Sequence, residues 1–182
     1  MSAVLQPPPR PVWLLAVVAT ILSIVIRLVP FTVRPPNFTS FGALSLYAGA
    51  RLPIWAAFGL PIGGMLIADY LMGFDPSPST YICYLISIVM GLLLRRTNSV
   101  WKIGLTALTL NLLFFLVTNL TVWANSRGKA FEDSFAGALA ELIAGIPFYP
   151  GTFFGDALFV PLFFLCHAFA ERHVTAPEEV KT

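Results

Sequence analysis

Hydrophobic residues fill the chain in long blocks separated by short stretches rich in proline, glycine and charge. Blocks of this length, without regularly spaced polar positions, are typical of helices that face lipid or one another. The pattern predicts helices at about residues 12–30, 38–52, 53–73, 80–94, 100–124 and 152–170, and an amphipathic piece at about 134–146. The predicted fold class is therefore an all-α integral membrane protein, a bundle of about six transmembrane helices.

Two of these segments depart from a plain membrane-spanning helix. Segment 38–52 has about 15 residues, fewer than the ~20 that cross a bilayer upright, so we expect it to be tilted or partly re-entrant. Segment 53–73 contains Pro61 and the Gly63-Gly64 pair. Proline removes a backbone hydrogen bond and glycine admits a close neighbour, so we expect this helix to be kinked and central.

Both ends of the chain are predicted to lie outside a single transmembrane domain, residues 12–170. Residues 1–11 are rich in proline and predict an extended tail, and residues 171–182 predict a polar tail. The apolar run after Arg10 is long for a secretory signal, and no small-x-small cleavage site follows it. We therefore expect a retained first helix, and a turn at Pro147–Gly151 before the last one.

Composition supports a lipid environment. Hydrophobic residues make up 57% of the chain and charged residues 11%, against ~25% charged residues in soluble domains. The net charge is only +2, and no dense cluster of Lys and Arg predicts nucleic-acid binding. Cys83 and Cys166 lie in apolar runs without CxxC spacing, which predicts buried inert thiols rather than a disulfide or zinc site. The expected partner is the lipid bilayer, and no cofactor is predicted.

The positions of Lys and Arg predict an orientation. Positive residues near membrane ends favour the cytoplasmic side. Arg95-Arg96 with Lys102 forms the densest cluster, and placing it inside puts both termini in the cytoplasm. We therefore expect a multi-pass protein of the inner (cytoplasmic) membrane with cytoplasmic N- and C-termini.

Three acids fall within or beside the apolar segments: Asp69, Glu141 and Asp156. Ionisable groups inside a bilayer are costly, so they mark either function or a packed pair. In the predicted topology, Asp69 and Asp156 lie near the outer ends of their helices. Several polar and aromatic residues lie in or beside the outer connections, among them Asn37, Asn119 and Trp123. This grouping predicts a pocket that is open to the outside.

Structural alternatives stay open for each of these residues. Asp69 has the alternative role of neutralising Arg34 or Arg51, and Asp156 that of favouring the N-terminal end of its own helix. Trp123 is also typical of an interfacial belt. Further polar residues have purely structural alternatives: Asn111 and Asn119 as partners between helices, and His167 as a satisfied buried histidine.

Motifs of soluble enzymes are missing. The sequence has no GxSxG, no HExxH, no P-loop and no paired histidines at metal-ligand spacing. Without a Walker motif, the chain is not expected to hydrolyse ATP itself. The prediction is that the protein is not an enzyme, with an intramembrane enzyme that uses Glu141 or Asp156 as the least favoured alternative.

Particular strings carry a family resemblance. They are Pro36-Asn37-Phe38-Thr39, Gly42–Ala50, Leu60-Pro61 with Met65–Asp69, Gly73-Phe74, Phe114–Asn119 with Val122-Trp123, and Ile146-Pro147-Phe148 through Gly155-Asp156. Together they resemble an uncharacterised bacterial family of membrane transport proteins. That family is similar to the substrate-binding S components of energy-coupling-factor (ECF) vitamin transporters. The resemblance covers most of residues 30–165.

The resemblance implies an S-component-like bundle of six helices with cytoplasmic termini and a ligand site at the outer face. The family-pattern positions that it assigns to ligand binding are Asn37, Asp69, Asn119, Trp123 and Asp156. S components usually carry an Ala-xxx-Ala patch on the first helix for the coupling subunit, which Ala16-xxx-Thr20 approximates here. Ala136-xxx-Ala140-xxx-Ala144 has the same spacing elsewhere. An ATP-driven energising module is thus a candidate partner.

A related group of solitary cobalamin transporters implies one more alternative. In that group a cysteine beyond the outer end of the third helix approaches the cobalt, and Cys83 lies in roughly that region. A soft thiolate suits such a metal. The inert thiol remains the default interpretation of Cys83, and this cobalt contact the less favoured one.

The leading hypothesis from the sequence is a binding and uptake subunit for a vitamin-like or other micronutrient molecule, with an outward-facing pocket. The alternative from another class is a structural or assembly subunit of a membrane complex without a ligand.

Overall fold

The structure is a computed structural model that describes residues 9–30, 32–126 and 128–175. The described residues form seven α-helices: α1 (Arg10–Leu28), α2 (Phe41–Arg51), α3 (Ile54–Met72), α4 (Pro78–Leu93), α5 (Val100–Ser126), α6 (Phe135–Gly145) and α7 (Tyr149–Thr175). A 3-10 turn, Ile146–Phe148, joins α6 to α7 without a break. The chain thus builds six continuous helical rods, which confirms the all-α bundle.

The first helix begins earlier than predicted. Residues 1–11 were expected to form a non-helical tail, but α1 begins at Arg10 and includes Pro11 in its first turn. A proline is tolerated there because the first N–H groups of a helix have no partner within the helix. Residues 1–8 lie outside the described part of the chain.

The last helix also differs from its prediction at both ends. The turn expected at 147–151 is absent, because the 3-10 turn leads directly into α7 at Tyr149, with Pro150 in its first turn. At its other end α7 continues to Thr175, into the stretch predicted as a polar tail. Residues 176–182 lie outside the described part of the chain.

Helix α2 is the centre of the bundle. It has 11 residues, fewer than the predicted segment, and every residue from Ala43 to Ala50 is buried. Small side chains dominate it, so that α1, α3, α4, α5 and α7 all pack against it. A helix this short does not span a bilayer by itself, and its neighbours cover all of it except Gly42 and Arg51, which are partly exposed.

Two glycines bring α2 and α4 into backbone contact. A Cβ atom added at Gly49 would collide with the carbonyl oxygen of Ile88. One added at Gly91 would collide with the carbonyl oxygen of Leu46. Larger residues at either position would push the helices apart, so this crossing depends on glycine on both sides.

The small residues of α1 face the inside of the bundle. Ala16 is fully buried, Thr20 is 9% exposed, and the Thr20 methyl would lie 3.0 Å from a Cβ at Gly64 of α3. The surface implied as a docking patch for a coupling subunit is therefore occupied by α3. The small residues of α6, namely Ala136, Ala140 and Ala144, are exposed instead.

Four helical stretches are long and apolar enough to cross a membrane: Arg10–Leu28, Ile54–Met72, Val100–Ser126 and Phe135–Arg172. Their outer surfaces carry large apolar side chains, such as Val100, which is 81% exposed. Helix α5 is the least covered, since only Ile103 and Asn111 of its 27 residues are buried. An apolar surface on this scale indicates a membrane-embedded protein.

One end of the bundle, here called the basic end, carries Arg51, Arg95 and Arg172. Arg95 donates to the carbonyl oxygens of Gly49 (3.0 Å) and Leu52 (2.6 Å) at the C-terminus of α2. Arg51 donates in return to the carbonyl oxygen of Thr97 (2.9 Å), in the α4–α5 loop. Arg95 thus satisfies backbone carbonyls at a helix end, where a positive charge is favoured, and Arg51 satisfies one in the loop.

Candidate functional site

A large cleft separates α5 from α7. Its volume is about 1200 Å³, and it extends from the middle of both helices to the basic end. Its walls are mostly apolar and include Ile103, Ala107, Leu108, Val160 and Phe164. This volume is slightly above the range that is usual for small-molecule sites, so the cleft is large enough to hold such a molecule. It is the foremost candidate site among the described residues.

The deepest polar feature of the cleft is a pair formed by Asp156 of α7 and Asn111 of α5. The Nδ2 atom of Asn111 donates to Oδ2 of Asp156 at 2.7 Å. Asn111 is 2% exposed, and its Oδ1 atom has no hydrogen-bond partner. The amide orientation follows from the carboxylate, which accepts hydrogen bonds but cannot donate them.

Helix α2 supplies the second contact of Asp156. The carboxylate accepts a hydrogen bond from the backbone N–H of Ala43, in the first turn of α2. A Cβ atom at Gly42 would lie 2.7 Å from Oδ1 of Asp156, so glycine makes room for the carboxylate. The structural alternative for Asp156 is that its charge stabilises the N-terminal end of its own helix, α7. The carboxylate instead lies at the N-terminus of α2, where the helix dipole favours an anion.

Asp156 has no cationic partner among the described residues. Its hydrogen-bond donors are the Asn111 amide and the Ala43 N–H. A small void of about 20 Å³, lined by Thr39, Tyr84 and Thr152 among others, also borders Asp156. Asp156 therefore lines both the large cleft and this void.

Polar side chains return where the cleft reaches the basic end. Nδ1 of His167 lies 3.2 Å from the Tyr47 hydroxyl, and its Nε2 lies 3.2 Å from Oε1 of Glu171. His167 is thus a satisfied buried histidine. Arg51 lies over the ring of Phe164, 5.3 Å from its centroid, and donates to Oδ1 of Asn98 at 2.8 Å. These contacts fix the wall of the cleft at this end.

A second polar cluster lies at the opposite end of the bundle, around Asp69. Arg27 donates to Oδ1 of Asp69 from Nη2 (2.7 Å) and Nε (3.1 Å). The Tyr81 hydroxyl donates to Oδ2 at 2.8 Å. The structural alternative for Asp69 named Arg34 or Arg51 as its cation, but the partner is Arg27. Both carboxylate oxygens are occupied, since Arg27 and Tyr81 already fill them.

Arg34 organises the loop between α1 and α2. It is 6% exposed and donates to the carbonyl oxygens of Val29 (3.2 Å) and Phe38. Burial lowers the pKa of Arg34, and the nearby charge of Arg27 lowers it further. The side chain thus closes the loop on itself instead of pairing with Asp69.

The other predicted site residues lie apart from the cleft. Asn119 donates to the carbonyl oxygen of Phe115 within its own helix at 2.7 Å and packs on Gly145. Trp123 donates to the carbonyl oxygen of Glu132 at 3.1 Å, which ties α5 to the segment before α6. Asn37 is exposed, with φ at 59°, a left-handed conformation that asparagine tolerates in turns.

Of the five predicted ligand-binding residues, Asp156 alone lines the large cleft in the described structure. A pocket was expected where Asp69, Asn119 and Trp123 lie, but the polar groups there bind one another or the backbone. The cleft extends from Asp156 toward the basic end instead. The sequence suggests Asn111 only as a partner between helices. Its buried position opposite Asp156 could not be predicted, because it depends on how α5 and α7 pack.

The remaining candidates show no shared site. Glu141 is 8% exposed on the face of α6 that also carries the buried Gly137 and Gly145, away from the cleft-lining residues. Cys83 is buried in α4. No group of three His, Cys, Asp or Glu side chains among the described residues could hold a metal ion.

The fold and cleft define a class: a helical, membrane-embedded protein with a deep cleft between its two longest helices. More particularly, the chain belongs to a family of unknown function, DUF6580, whose profile matches residues 8–178. Neither the curated proteins nor the solved structures include a significant match to the chain.

Proposed function

We propose that this protein is a small-molecule binding and uptake subunit of a membrane transporter, with its ligand site in the α5–α7 cleft. The observation that carries the proposal is the cleft of about 1200 Å³ that ends at Asp156 and Asn111. An unpaired acid within an apolar segment is expensive, and such groups usually serve function. The resemblance to S components of ECF vitamin transporters supports the same class.

The orientation that we propose places the basic end in the cytoplasm, following the bias of Lys and Arg. The cleft then lies on the inner side of Asp156, and the Arg27–Asp69–Tyr81 cluster lies on the outer side. In this arrangement the protein holds a conformation closed to the outside, and an outward-facing state requires α5 or α7 to move. Helix α5, in which only Ile103 and Asn111 are buried, is the natural moving part.

Gly104 offers a direct test because it lines the cleft and its missing Cβ would meet nothing within 4 Å. A Gly104→Trp variant should fill the cleft without disturbing a neighbour. Gly59 on α3 is also open within 4 Å but lies outside the cleft, so Gly59→Trp is the matched control. Native mass spectrometry of the three detergent-purified proteins should find a small molecule retained by the wild type and the control and lost by Gly104→Trp.

Identical small-molecule content in all three proteins would overturn the cleft as the binding site. A tightly held protein partner with no small molecule would favour the assembly subunit instead. One observation supports this second candidate. Only two of the 27 residues of α5 are buried, so the helix leaves a large surface that a protein partner could cover. An ATP-driven energising module would be such a partner, and its docking surface must then be other than the enclosed Ala16-xxx-Thr20 face.

A further inference from the structure

The chemistry at the end of the cleft is one-sided. Asp156 presents a carboxylate, and Asn111 presents an Oδ1 atom that has no donor within reach. Both are hydrogen-bond acceptors, and Asn111 Nδ2 already donates one of its two N–H groups to Asp156. Two acceptors, one of them without any partner, favour a ligand that brings hydrogen-bond donors of its own.

The charge at this point is also one-sided. Asp69 shows how this protein neutralises a buried carboxylate, with Arg27 at 2.7 Å. Among the described residues, Asp156 has no such cation, and the dipole of α2 offers only a partial positive charge. A cationic group from the ligand would complete this site, whereas a carboxylate or phosphate would meet two acceptors and a like charge.

The middle of the cleft selects for an apolar body. Between Asp156 and the basic end, the wall consists of side chains such as Ile103, Ala107, Val160 and Phe164. Burial of apolar area against these side chains supplies affinity but no orientation. Orientation comes from the polar pair at the deep end.

We propose that the cleft takes an amphipathic organic cation, whose protonated amine or comparable donor group binds Asp156 and Asn111 Oδ1 while its apolar body lies between α5 and α7. This inference rests on the proposed function, because it names the class of ligand for the same site. Asn111 is central to it, since a buried, unpartnered oxygen at the edge of a cleft is a group that awaits a donor.

Three fluorescent probes of matched length test the charge preference: dansylcadaverine, which is a cation, its N-acetyl derivative, which is neutral, and dansyl-aminohexanoic acid, which is an anion. Fluorescence titration of the detergent-purified protein should show the cation binding about tenfold to a hundredfold more tightly than the neutral probe. Asp156→Asn should abolish that preference, and Gly104→Trp should abolish binding of the cation. Gly59→Trp should behave as the wild type does.

The outcomes separate the inference from the proposed function. If all three probes bind with equal affinity, and Gly104→Trp blocks them all, the cleft is a ligand site but the proposed preference for cations is wrong. If Asp156→Asn keeps the full preference for the cation, the inference is likewise wrong. If Gly104→Trp changes nothing, or no probe binds the wild type, the inference fails. The retained-molecule experiment then decides whether the cleft binds any ligand.

Discussion

Asp69 and Asp156 are two buried acids of one bundle, and they are held in opposite ways. Asp69 receives two hydrogen bonds from Arg27 and one from Tyr81, and it closes the α1, α3 and α4 end of the protein. Asp156 receives neutral donors only, and it borders an open cleft. Two buried aspartates of the same bundle thus have different roles: Asp69 serves packing at one end, and Asp156, we propose, serves ligand binding in the cleft.

The difference shows that an acid in an apolar segment does not by itself mark a site. What distinguishes the two is whether the protein supplies the compensating cation. Where it does, as for Asp69, removing the acid leaves a stranded charge; where it does not, as for Asp156, the acid itself is the uncompensated group. Variants of the two acids and of Tyr81 test that distinction through stability.

The largest effect is expected for Asp69→Ala. This change leaves the Arg27 guanidinium without its counter-ion in a half-buried site, and it should lower the free energy of unfolding by about 3–5 kcal/mol. Thermal unfolding of the detergent-purified protein measures the loss. The double variant Arg27→Met with Asp69→Leu removes both charges and should recover most of it, because apolar replacement of a buried pair is often neutral. A single variant as stable as the wild type would contradict a structural role for the pair.

The next largest effect tests the packing of α2 against α4. Gly91→Ala and Gly49→Ala each place a Cβ against a backbone carbonyl of the facing helix. Each should cost about 1–3 kcal/mol by overpacking. Gly59→Ala is the matched control, because nothing lies within 4 Å of its Cβ position. Unfolding curves in which all three variants coincide would show that the α2–α4 crossing tolerates separation.

Much of the fold could be predicted from the sequence, because apolar runs and Pro or Gly breaks are local signals. They predict the bounds of α4, α5 and α6 to within about two residues, which is the usual uncertainty at helix ends. The miss at Pro147–Gly151 has a physical cause, since prolines are tolerated in the first turn of a helix. Pro150 therefore begins a helix where a turn was expected.

The site was less predictable, because its features depend on which helices pack together. Arg27 and Asp69 lie 42 residues apart, and the sequence suggested Arg34 or Arg51 as the partner, because only the packing of α1 on α3 brings Arg27 to Asp69. The contact of Asp156 with the N-terminus of α2 follows from the Gly42 approach, which no local pattern indicates. The choice of Asp156 as a site residue rested on the family resemblance and on the cost of an acid in an apolar segment, and neither indicates which side chains surround it.

A smaller effect is expected for Tyr81→Phe. The variant removes one hydrogen bond to Asp69 but leaves both bonds from Arg27 in place. The free energy of unfolding should fall by about 0.5–1.5 kcal/mol. The same thermal unfolding assay measures it, with Tyr70→Phe as the control, since Tyr70 is 84% exposed. A loss as large as that of Asp69→Ala would mean that the hydroxyl, not the ion pair, holds this end closed.

The smallest effect on stability is expected for Asp156→Asn. The variant strands no cation, and its Oδ1 atom can still accept from the Ala43 N–H. If the Asn111 amide flips, the new amide group can donate to Asn111 Oδ1, and this bond replaces the one that Asn111 Nδ2 donates in the wild type. Stability should therefore stay within about 1 kcal/mol of the wild type, or rise, as measured by thermal unfolding.

This last variant turns the comparison of the two acids into a single measurement. If Asp156→Asn unfolds as easily as Asp69→Ala, the carboxylate has a structural partner that the bundle depends on, and the contrast between the two ends is lost. If it is as stable as the wild type or more stable, the protein retains a costly charge at a position where a neutral isostere would suffice for folding. A group kept against its own stability is best explained by the ligand that it binds.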